Sequence, residues 1–296
     1  MSFLNTMKFI INHPLNRGHR FRSIMRFARW QARSRLVPGA VVYEWVNGSK
    51  FLVKAGETGL TGNIYAGLHE LPDMAFLLHV LRSDDLFVDV GANAGAYTLL
   101  ACSAIGAEGI AFEPLPDAYK RLVENMRLNH LDKRVKCINK GVGAEHGSMA
   151  FTRDSDTTNH ALAAGEKCDT AVTVDITSLD AALHGNAPAL VKIDVEGFET
   201  PVLEGACKTL QNHTLRSVIM ELNGSCRRYG FDESRIIELM ADHGFATYTY
   251  NPFERMLIDL NGKSLGSGNT LFIRDKSFVE QRLRSAPNVS IHGSQL

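Results

Sequence analysis

Several things are scarce in this sequence, and each scarcity removes a class of protein. No stretch reaches the about 18 apolar residues that a membrane-spanning helix needs. The uncharged stretch 90–107 is interrupted by Gly, Asn, Thr and Ser, and 74–81 is denser but short. The first 40 residues lack the compact apolar core of a secretory signal. The five cysteines (Cys102, Cys137, Cys168, Cys207, Cys226) are odd in number, scattered, and form no C-x-x-C pair. A disulfide framework and a structural zinc site are therefore not expected, and a reducing cytoplasm is. Net charge is also missing, with 32 basic and 32 acidic residues among 296. That balance hides an asymmetry. Met1 to Tyr43 holds eight basic residues and no acidic one, which leaves 24 basic against 32 acidic in the rest. A basic arm ahead of an acidic body can meet anionic lipid, its own body or another subunit. Nucleic acid is not expected as a partner, because no basic stripe continues the arm across the body.

What is present is an alternating pattern. Phe21, Ile24, Met25, Phe27, Ala28 and Trp30 interleave with arginines at helical spacing, so 17–36 reads as an amphipathic helix. It either docks on the body or contacts a membrane surface or a partner. Residues 41–54 alternate around Asn47-Gly48, the signature of a hairpin with a two-residue turn. The glycine-rich stretch 56–67 looks too irregular for helix or strand, and a helix is expected at 73–82. Strands are expected at 86–90, 109–113, 135–139, 189–195, 216–221, 246–250 and 270–274. Helices are expected at 95–105, 117–129, 199–210 and 232–243. Alternating apolar strands and helices give an α/β fold: a seven-stranded, mostly parallel sheet with helices on both faces. A polar insertion at 143–187 should add two strands and a loop.

The first strand runs straight into small residues: Phe87-Val88-Asp89-Val90-Gly91-Ala92-Asn93-Ala94-Gly95. In such sheets, ligands bind beyond the carboxyl ends of the strands. The spacing Gly91-x-x-x-Gly95 is not the G-x-G-x-x-G of a dinucleotide site. Asp89 would repel a diphosphate but suits a cationic amine or sulfonium; it could also merely cap the turn. Glu113, at the second strand's end before Pro114, is placed to accept both hydroxyls of a ribose.

The segments FVDVGANAGAYT (87–98), IAFEP (110–114) and VKIDVEGFETPVLEGA (191–206) together resemble the FkbM family of S-adenosylmethionine-dependent methyltransferases. TGNIYAGLHE (61–70) is similar to a branch often associated with glycan or lipopolysaccharide biosynthesis. The resemblance covers roughly 86–275. It implies a class I methyltransferase (Rossmann-like) fold and O-methylation of a hydroxyl, with a sugar or glycoconjugate as acceptor. The expected division is then a basic helix, hairpin and glycine-rich extension over 1–69, the methyltransferase domain over 70–280, and a tail over 281–296. By the resemblance, Asp89, Gly91, Asn93 and Gly95 line the methionine end of S-adenosylmethionine and Glu113 holds its ribose. Asn139, Gly141 and Val142 follow the third strand, where the family's adenine pocket lies, and the neighbouring Lys140 is expected to be exposed. Glu70 can meet the cofactor's amino group or simply sit at a helix N-terminus.

An alcohol must lose its proton during methylation, which calls for a general base or a metal. Asp194, ending the fourth strand, and Glu196 close behind are candidates for the first role. His160, in the insertion's Asp156-Thr157-Thr158-Asn159-His160, is the rival base. Asp194 with Glu221 and Asn223, at the end of the next strand, resembles the Mg²⁺ site of catechol-type O-methyltransferases. Tyr65, Tyr229 and Tyr250 are aromatic candidates for a sugar face. Two other classes remain open. A short-chain dehydrogenase is disfavoured by the glycine spacing and by the lack of a Tyr-x-x-x-Lys pair. A non-catalytic methyltransferase-like module, binding a partner or a membrane surface through the basic arm, is disfavoured by intact Asp89, Glu113 and Asp194.

Overall fold

A computed structural model describes residues 3–54, 56–153 and 158–296. Two helices, α1 (Phe3–Asn12) and α2 (Arg20–Leu36), precede a hairpin of β1 (Val41–Glu44) and β2 (Lys50–Val53). Helices α3 (Thr58–Ala66) and α4 (Leu71–Val80) lead into β3 (Leu86–Val90), α5 (Ala96–Leu99), β4 (Glu108–Phe112), α6 (Pro116–Leu128) and β5 (Val135–Ile138). A small sheet of β6 (Gly141–Val142), β7 (Gly147–Phe151) and β8 (Val172–Thr177) follows, then α7 (Leu179–Leu183). The chain returns through β9 (Leu190–Ile193), α8 (Glu199–Glu204), α9 (Cys207–Gln211), β10 (Ser217–Glu221) and α10 (Glu233–Asp242). Strands β11 (Ala246–Asn251), β12 (Met256–Asp259) and β13 (Asn269–Ile273) complete the main sheet. Helix α11 (Lys276–Ser285) and a short hairpin, β14 (Ser290–Ile291) with β15 (Ser294–Gln295), end the chain.

The main sheet has the order β12-β11-β13-β10-β9-β3-β4-β5. Strands β10, β9, β3, β4 and β5 are parallel, and β13 inserts antiparallel between β10 and β11. This is the class I methyltransferase arrangement. The strands are short apolar runs because both faces are covered. Val88, Val90, Val191 and Ile193 pack against α7 to α10 on one face, while Phe87 and Leu190 pack towards α4, α5 and α11 on the other. The chain leaves β3 to one side through β4 and β5 and returns to its other side at β9. That reversal puts the crevice between the carboxyl ends of β3 and β9.

Several details differ from the sequence expectations, each for an identifiable reason. The sheet has eight strands, because β12 folds back on β11 as an edge hairpin. The stretch 56–67 is largely helical. Leu60 and Ile64 are buried one turn apart in α3, and Gly62 is small because the His69 ring lies against it; a Cβ there would sit 2.4 Å from Nδ1. Packing thus overrides a poor helix propensity. The β1–β2 connection spans 45–49 rather than two residues, since Val46 is drawn into the core and Trp45 Nε1 donates to the Gly67 carbonyl. The expected helix 199–210 is broken in two at Gly205 and Ala206.

The N-terminal helices pack on this frame through one face. Arg26 of α2 donates from Nε to the Ile64 carbonyl at 2.7 Å and from its guanidinium to the Tyr65 carbonyl at 2.7 Å, satisfying the C-terminal end of α3. Ile10, Leu15, Trp30 and the C-terminal Val289, Ile291 and Leu296 share one hydrophobic cluster with α4 and the main sheet. Among the described residues no helix is long and apolar enough to cross a membrane.

Candidate active site

The crevice is a cavity of about 820 Å³. Its floor begins where β3 ends. Gly91 has φ of +82°, and a Cβ there would lie 1.8 Å from the Asp194 carbonyl oxygen, so no other residue fits this crossing of β3 and β9. The Gly91 and Ala92 amides both donate to the Phe112 carbonyl, tying the turn to β4. Gly95 is the N-cap of α5 and faces Leu122 and Met126 rather than the cavity. The turn is therefore closed by Gly95 but lined by Gly91, Ala92, Asn93 and Ala94.

Glu113 is buried at the end of β4 and lines the cavity. Its Oε2 accepts from the Asn93 amide at 2.8 Å and its Oε1 from the Leu115 amide at 2.9 Å. Each oxygen keeps a further lone pair for a ligand hydroxyl. Burial raises this carboxyl to about 7, even though both amide bonds favour its charged form. Asn139 does not line the cavity. Its amide nitrogen donates to the Glu113 and Pro114 carbonyls at 2.8 and 2.9 Å, so it holds the β4 end in place from outside. Gly141 and Val142 do line the cavity, as does Lys140, whose side chain is 42% exposed and whose Nζ lies 3.9 Å from Asp175.

The register of the sheet assembles the opposite wall. Asp89 on β3 stands beside Lys192 on β9, and the neighbouring β9 and β10 ends bring Asp194 and Glu221 together. Lys192 is not among the residues that the sequence motifs nominate for the site, yet it is the hub. It is 3% exposed, its Nζ is 2.6 Å from Asp194 Oδ2, and it lies 4.7 Å from the centre of the Tyr97 ring. Burial would lower its ammonium, but Asp194, Asp89 and Glu70 more than offset this and hold it above the usual lysine range. A lysine in the middle of an otherwise apolar strand is the signal that points to it, since a buried charge has to be paired. Tyr97 extends the network by donating to Glu70 Oε2 at 2.7 Å, and Thr98 donates to Asp89 Oδ2 at 2.6 Å. Among the described residues Asp89 Oδ1, which is buried, has no hydrogen-bond partner, and burial raises its carboxyl above the ordinary range.

Beyond β9 the chain turns through Glu196, a non-glycine residue at φ of +55°, and Gly197 at φ of +104°. A Cβ on Gly197 would lie 2.6 Å from the Ser225 backbone, so the turn is pinned by close approach. The strained residue delivers its carboxyl to the cluster. Oxygens of Asp194, Glu196 and Glu221 lie within 4.8 Å of one another. Burial, then the Asp194 charge, raises Glu196 to about 7. Burial with Asp194 and Glu196 raises Glu221 to about 9, so Glu221 carries a proton at neutral pH.

A divalent ion could bridge such oxygens by spacing alone. Of the expected set, Asp194, Glu221 and Asn223 all line the cavity, and the carboxyl of Glu196 joins the two acids. Asn223 Oδ1 accepts from the Ser225 amide at 3.0 Å. Asp194 is already paired with the Lys192 ammonium at 2.6 Å, a cation that would repel a divalent ion held by the same oxygens. These residues fit a proton-transfer site better than a metal centre.

His160 does not line the cavity. Its Nδ1 and Nε2 lie 3.0 Å from the Thr158 carbonyl and from Glu166 Oε1, so neither ring nitrogen is free, whereas Thr158 and Asn159 reach the cavity wall. Asp156 and Thr157 of that segment lie outside the described residues. Of the three tyrosines, only Tyr65 lines the cavity. Tyr250 bonds His79 in the core at 2.7 Å, and Tyr229 donates to the Ala161 carbonyl at 2.6 Å. Nothing in the local pattern marks α1 and α2 as walls of the cavity, yet Phe9, Phe27, Gln31, Ser34 and Arg35 all line it.

A family model described as the methyltransferase FkbM domain matches residues 89–246, from Asp89 to the start of β11. The chain is 30% identical over 173 residues to hexuronic acid methyltransferase AglP of Haloferax volcanii, across 58% of this chain and 67% of that protein. It is 31% identical over 147 residues to methyltransferase 1 of Beauveria bassiana, across 41% of this chain and 58% of that protein. Precorrin-6y C5,15-methyltransferase from Geobacter metallireducens aligns in structure with a TM-score of 0.40 and 12% identity, over 69% of this chain and 86% of that one. With more than half of its length matched by the family model and the strand-end acids and glycine turn inside the matched region, this chain belongs to the FkbM family of methyltransferases.

Proposed function

We propose that the protein is an S-adenosylmethionine-dependent O-methyltransferase acting on a sugar hydroxyl. The observation that carries this reading is one cavity bounded by the glycine turn and Glu113 on one side and by a cluster of proton-binding carboxyls on the other. When bound, S-adenosylmethionine supplies a methyl group on a sulfonium. Glu113 accepts hydrogen bonds from the ribose hydroxyls, and the 91–94 turn lets the cofactor lie against backbone. Asp89, with one buried oxygen free, and Glu70 face its cationic end. The distinctive requirement of O-methylation is removal of the hydroxyl proton as the oxygen attacks in line. Glu196, with a proton affinity near neutrality, takes that proton, while Asp194, oriented by Lys192, accepts the hydroxyl's hydrogen bond and fixes its approach. A relative that acts on a hexuronic acid supports a sugar acceptor. The aromatic and polar wall of Phe27, Tyr65, Gln31 and Ser34 supports it too, since sugars present both apolar faces and hydroxyls.

The test is calorimetric titration of S-adenosylmethionine, followed by incubation with uronic and neutral sugar acceptors and mass spectrometry of the products. Cofactor binding with a methyl ether formed on a sugar is the expected result. Absence of cofactor binding would refute the reading, and methyl transfer only to amines or thiols would refute the acceptor class.

A further inference from the structure

We propose that helices α1 and α2 form a docking face for an anionic lipid surface and set the mouth of the cavity against it. The inner face of α2 is spoken for: Ser23 and Trp30 are buried and Arg26 is bonded to α3. Its outer face carries a second pattern. At 100° per residue, Phe21, Met25, Ala28, Ala32 and Leu36 fall within about 80° of one another. Phe21 is 75% and Leu36 80% exposed, with Met25, Ala28 and Ala32 also open to solvent. Arg35 flanks this strip on one side, and Arg22, Arg29 and Arg33 on the other. Among the described residues, none of these four arginines forms a salt bridge. On α1, Phe3 and Leu4 are exposed as well, 66% and 70%.

An apolar strip edged only by arginines suits a helix lying in a lipid interface. The strip enters the boundary of headgroups and chains, and the arginines reach outward to anionic headgroups. An acidic protein surface would answer the arginines but leave the strip without a counterpart. The charge distribution also orients the molecule, because the body carries eight more acidic than basic residues and is held away from the same surface. Phe3, Phe27 and Arg35 of these two helices line the cavity, so a surface that receives α2 lies beside its opening. If the proposed activity holds, the acceptor is one presented at a membrane, such as a sugar on a lipid carrier.

The experiment is co-flotation of the full chain with phosphatidylglycerol-containing vesicles and with neutral phosphatidylcholine vesicles, at low and high salt. The wild type is compared with Arg22→Gln/Arg29→Gln and Phe21→Ser/Leu36→Ser. These residues are exposed and outside the cavity, so folding and cofactor binding should be unchanged, and calorimetry on each variant checks this. Flotation with anionic vesicles that weakens with salt is expected. The arginine variant should partition about 25-fold less, about fivefold per arginine, and the strip variant at least tenfold less. Flotation that ignores lipid charge, flotation that ignores both variants, or none at all would overturn the proposal. So would wild-type self-association, seen by sedimentation velocity without lipid, that both variants abolish, since the face would then receive a second copy. Vesicle binding is read without turnover, so its failure is separable from failure of the methyltransferase reading.

Discussion

Replacing Glu113 with glutamine is the sharpest probe of the proposed cofactor site, because the structure makes a conservative change severe. Both carboxylate oxygens accept backbone N–H groups, from Asn93 at 2.8 Å and Leu115 at 2.9 Å. A glutamine must turn its NH₂ towards one of them, so in either orientation a donor faces a donor. One hydrogen bond to a charged acceptor is lost, worth about 1.5–3 kcal/mol. The ribose hydroxyls, which would donate to the remaining lone pairs, lose the charged acceptor as well. Losing two such bonds costs about 3 kcal/mol or more, at least a hundredfold in Kd. The pH dependence adds an independent check. The Glu113 carboxyl titrates at about 7, and only its ionised form accepts two hydroxyl protons, so wild-type affinity should fall as the pH drops through that value. The glutamine variant should bind weakly at every pH and lose that titration. Calorimetry above and below neutrality measures both effects. An affinity within twofold of wild type, with the pH dependence intact, would show that Glu113 does not touch the cofactor.

Four further outcomes are expected. Gly91→Ala puts a Cβ 1.8 Å from the Asp194 carbonyl in a left-handed conformation, so it should destabilise the fold by more than about 3 kcal/mol in urea unfolding; a near-native midpoint would mean β3 and β9 are not so closely crossed. Glu221 binds its proton up to about pH 9 when folded and only to its ordinary carboxylate value when unfolded. The folded state therefore holds the extra proton between those values, and stability falls as pH rises through the window. Above neutrality the slope should approach about 1.4 kcal/mol per pH unit at most, and Glu221→Gln should flatten it; an unchanged slope in thermal melts from pH 7 to 9 would put that proton elsewhere. His160→Ala should change turnover less than tenfold, whereas Glu196→Gln should reduce kcat by about 10²-fold or more, the usual worth of a general base; the reverse order would reassign the base. Finally, EDTA should leave the rate unaltered, and restoration of lost activity by Mg²⁺ alone would contradict the Lys192-neutralised cluster.

The central strands were legible because burial on both faces forces continuous apolar runs. The turn at Gly91 was legible because a buried strand that runs through small residues into a helix leaves open backbone where a ligand meets the sheet. Boundaries slipped by one or two residues where hydrogen bonding rather than hydropathy sets the end, as at 189–195, where the chain leaves the sheet at Asp194. Helix α3 was missed for a different reason. Gly62 within it lets the His69 ring approach and Gly67 at its C-cap lets Ile291 approach, and a sequence cannot distinguish small for closeness from small for flexibility. The β12 edge strand is exposed and short, so no periodicity marks it. At the site, Asp89, Gly91, Asn93, Glu113, Asp194 and Glu221 could be named because they lie at or just beyond the carboxyl ends of strands. The contribution of α1 and α2 to the cavity depends on how the N-terminal segment folds back, which local pattern does not encode.

The residues that look wrong for their secondary structure are the ones that build this site. A lysine inside β9, an aspartate inside β3 and a glutamate at a left-handed turn each carry a local cost. The sheet register makes these costs offset one another. Asp89 is set beside Lys192, Lys192 reaches Asp194, and Asp194 faces Glu221. Removing Lys192 would leave the carboxyls of Asp89, Asp194 and Glu221 crowded without a cation in a poorly solvated crevice, so its ammonium is what lets three acids share the strand ends. A strand pairing shifted by one residue would point Lys192 to the opposite face of the sheet, among apolar side chains such as Val202, Leu203 and Met220 and away from Asp89. The charged pairs thus favour the same register as the hydrophobic pattern of β3, β9 and β10, and that single register places the 91–94 turn across the cavity from the Asp194, Glu196 and Glu221 carboxyls.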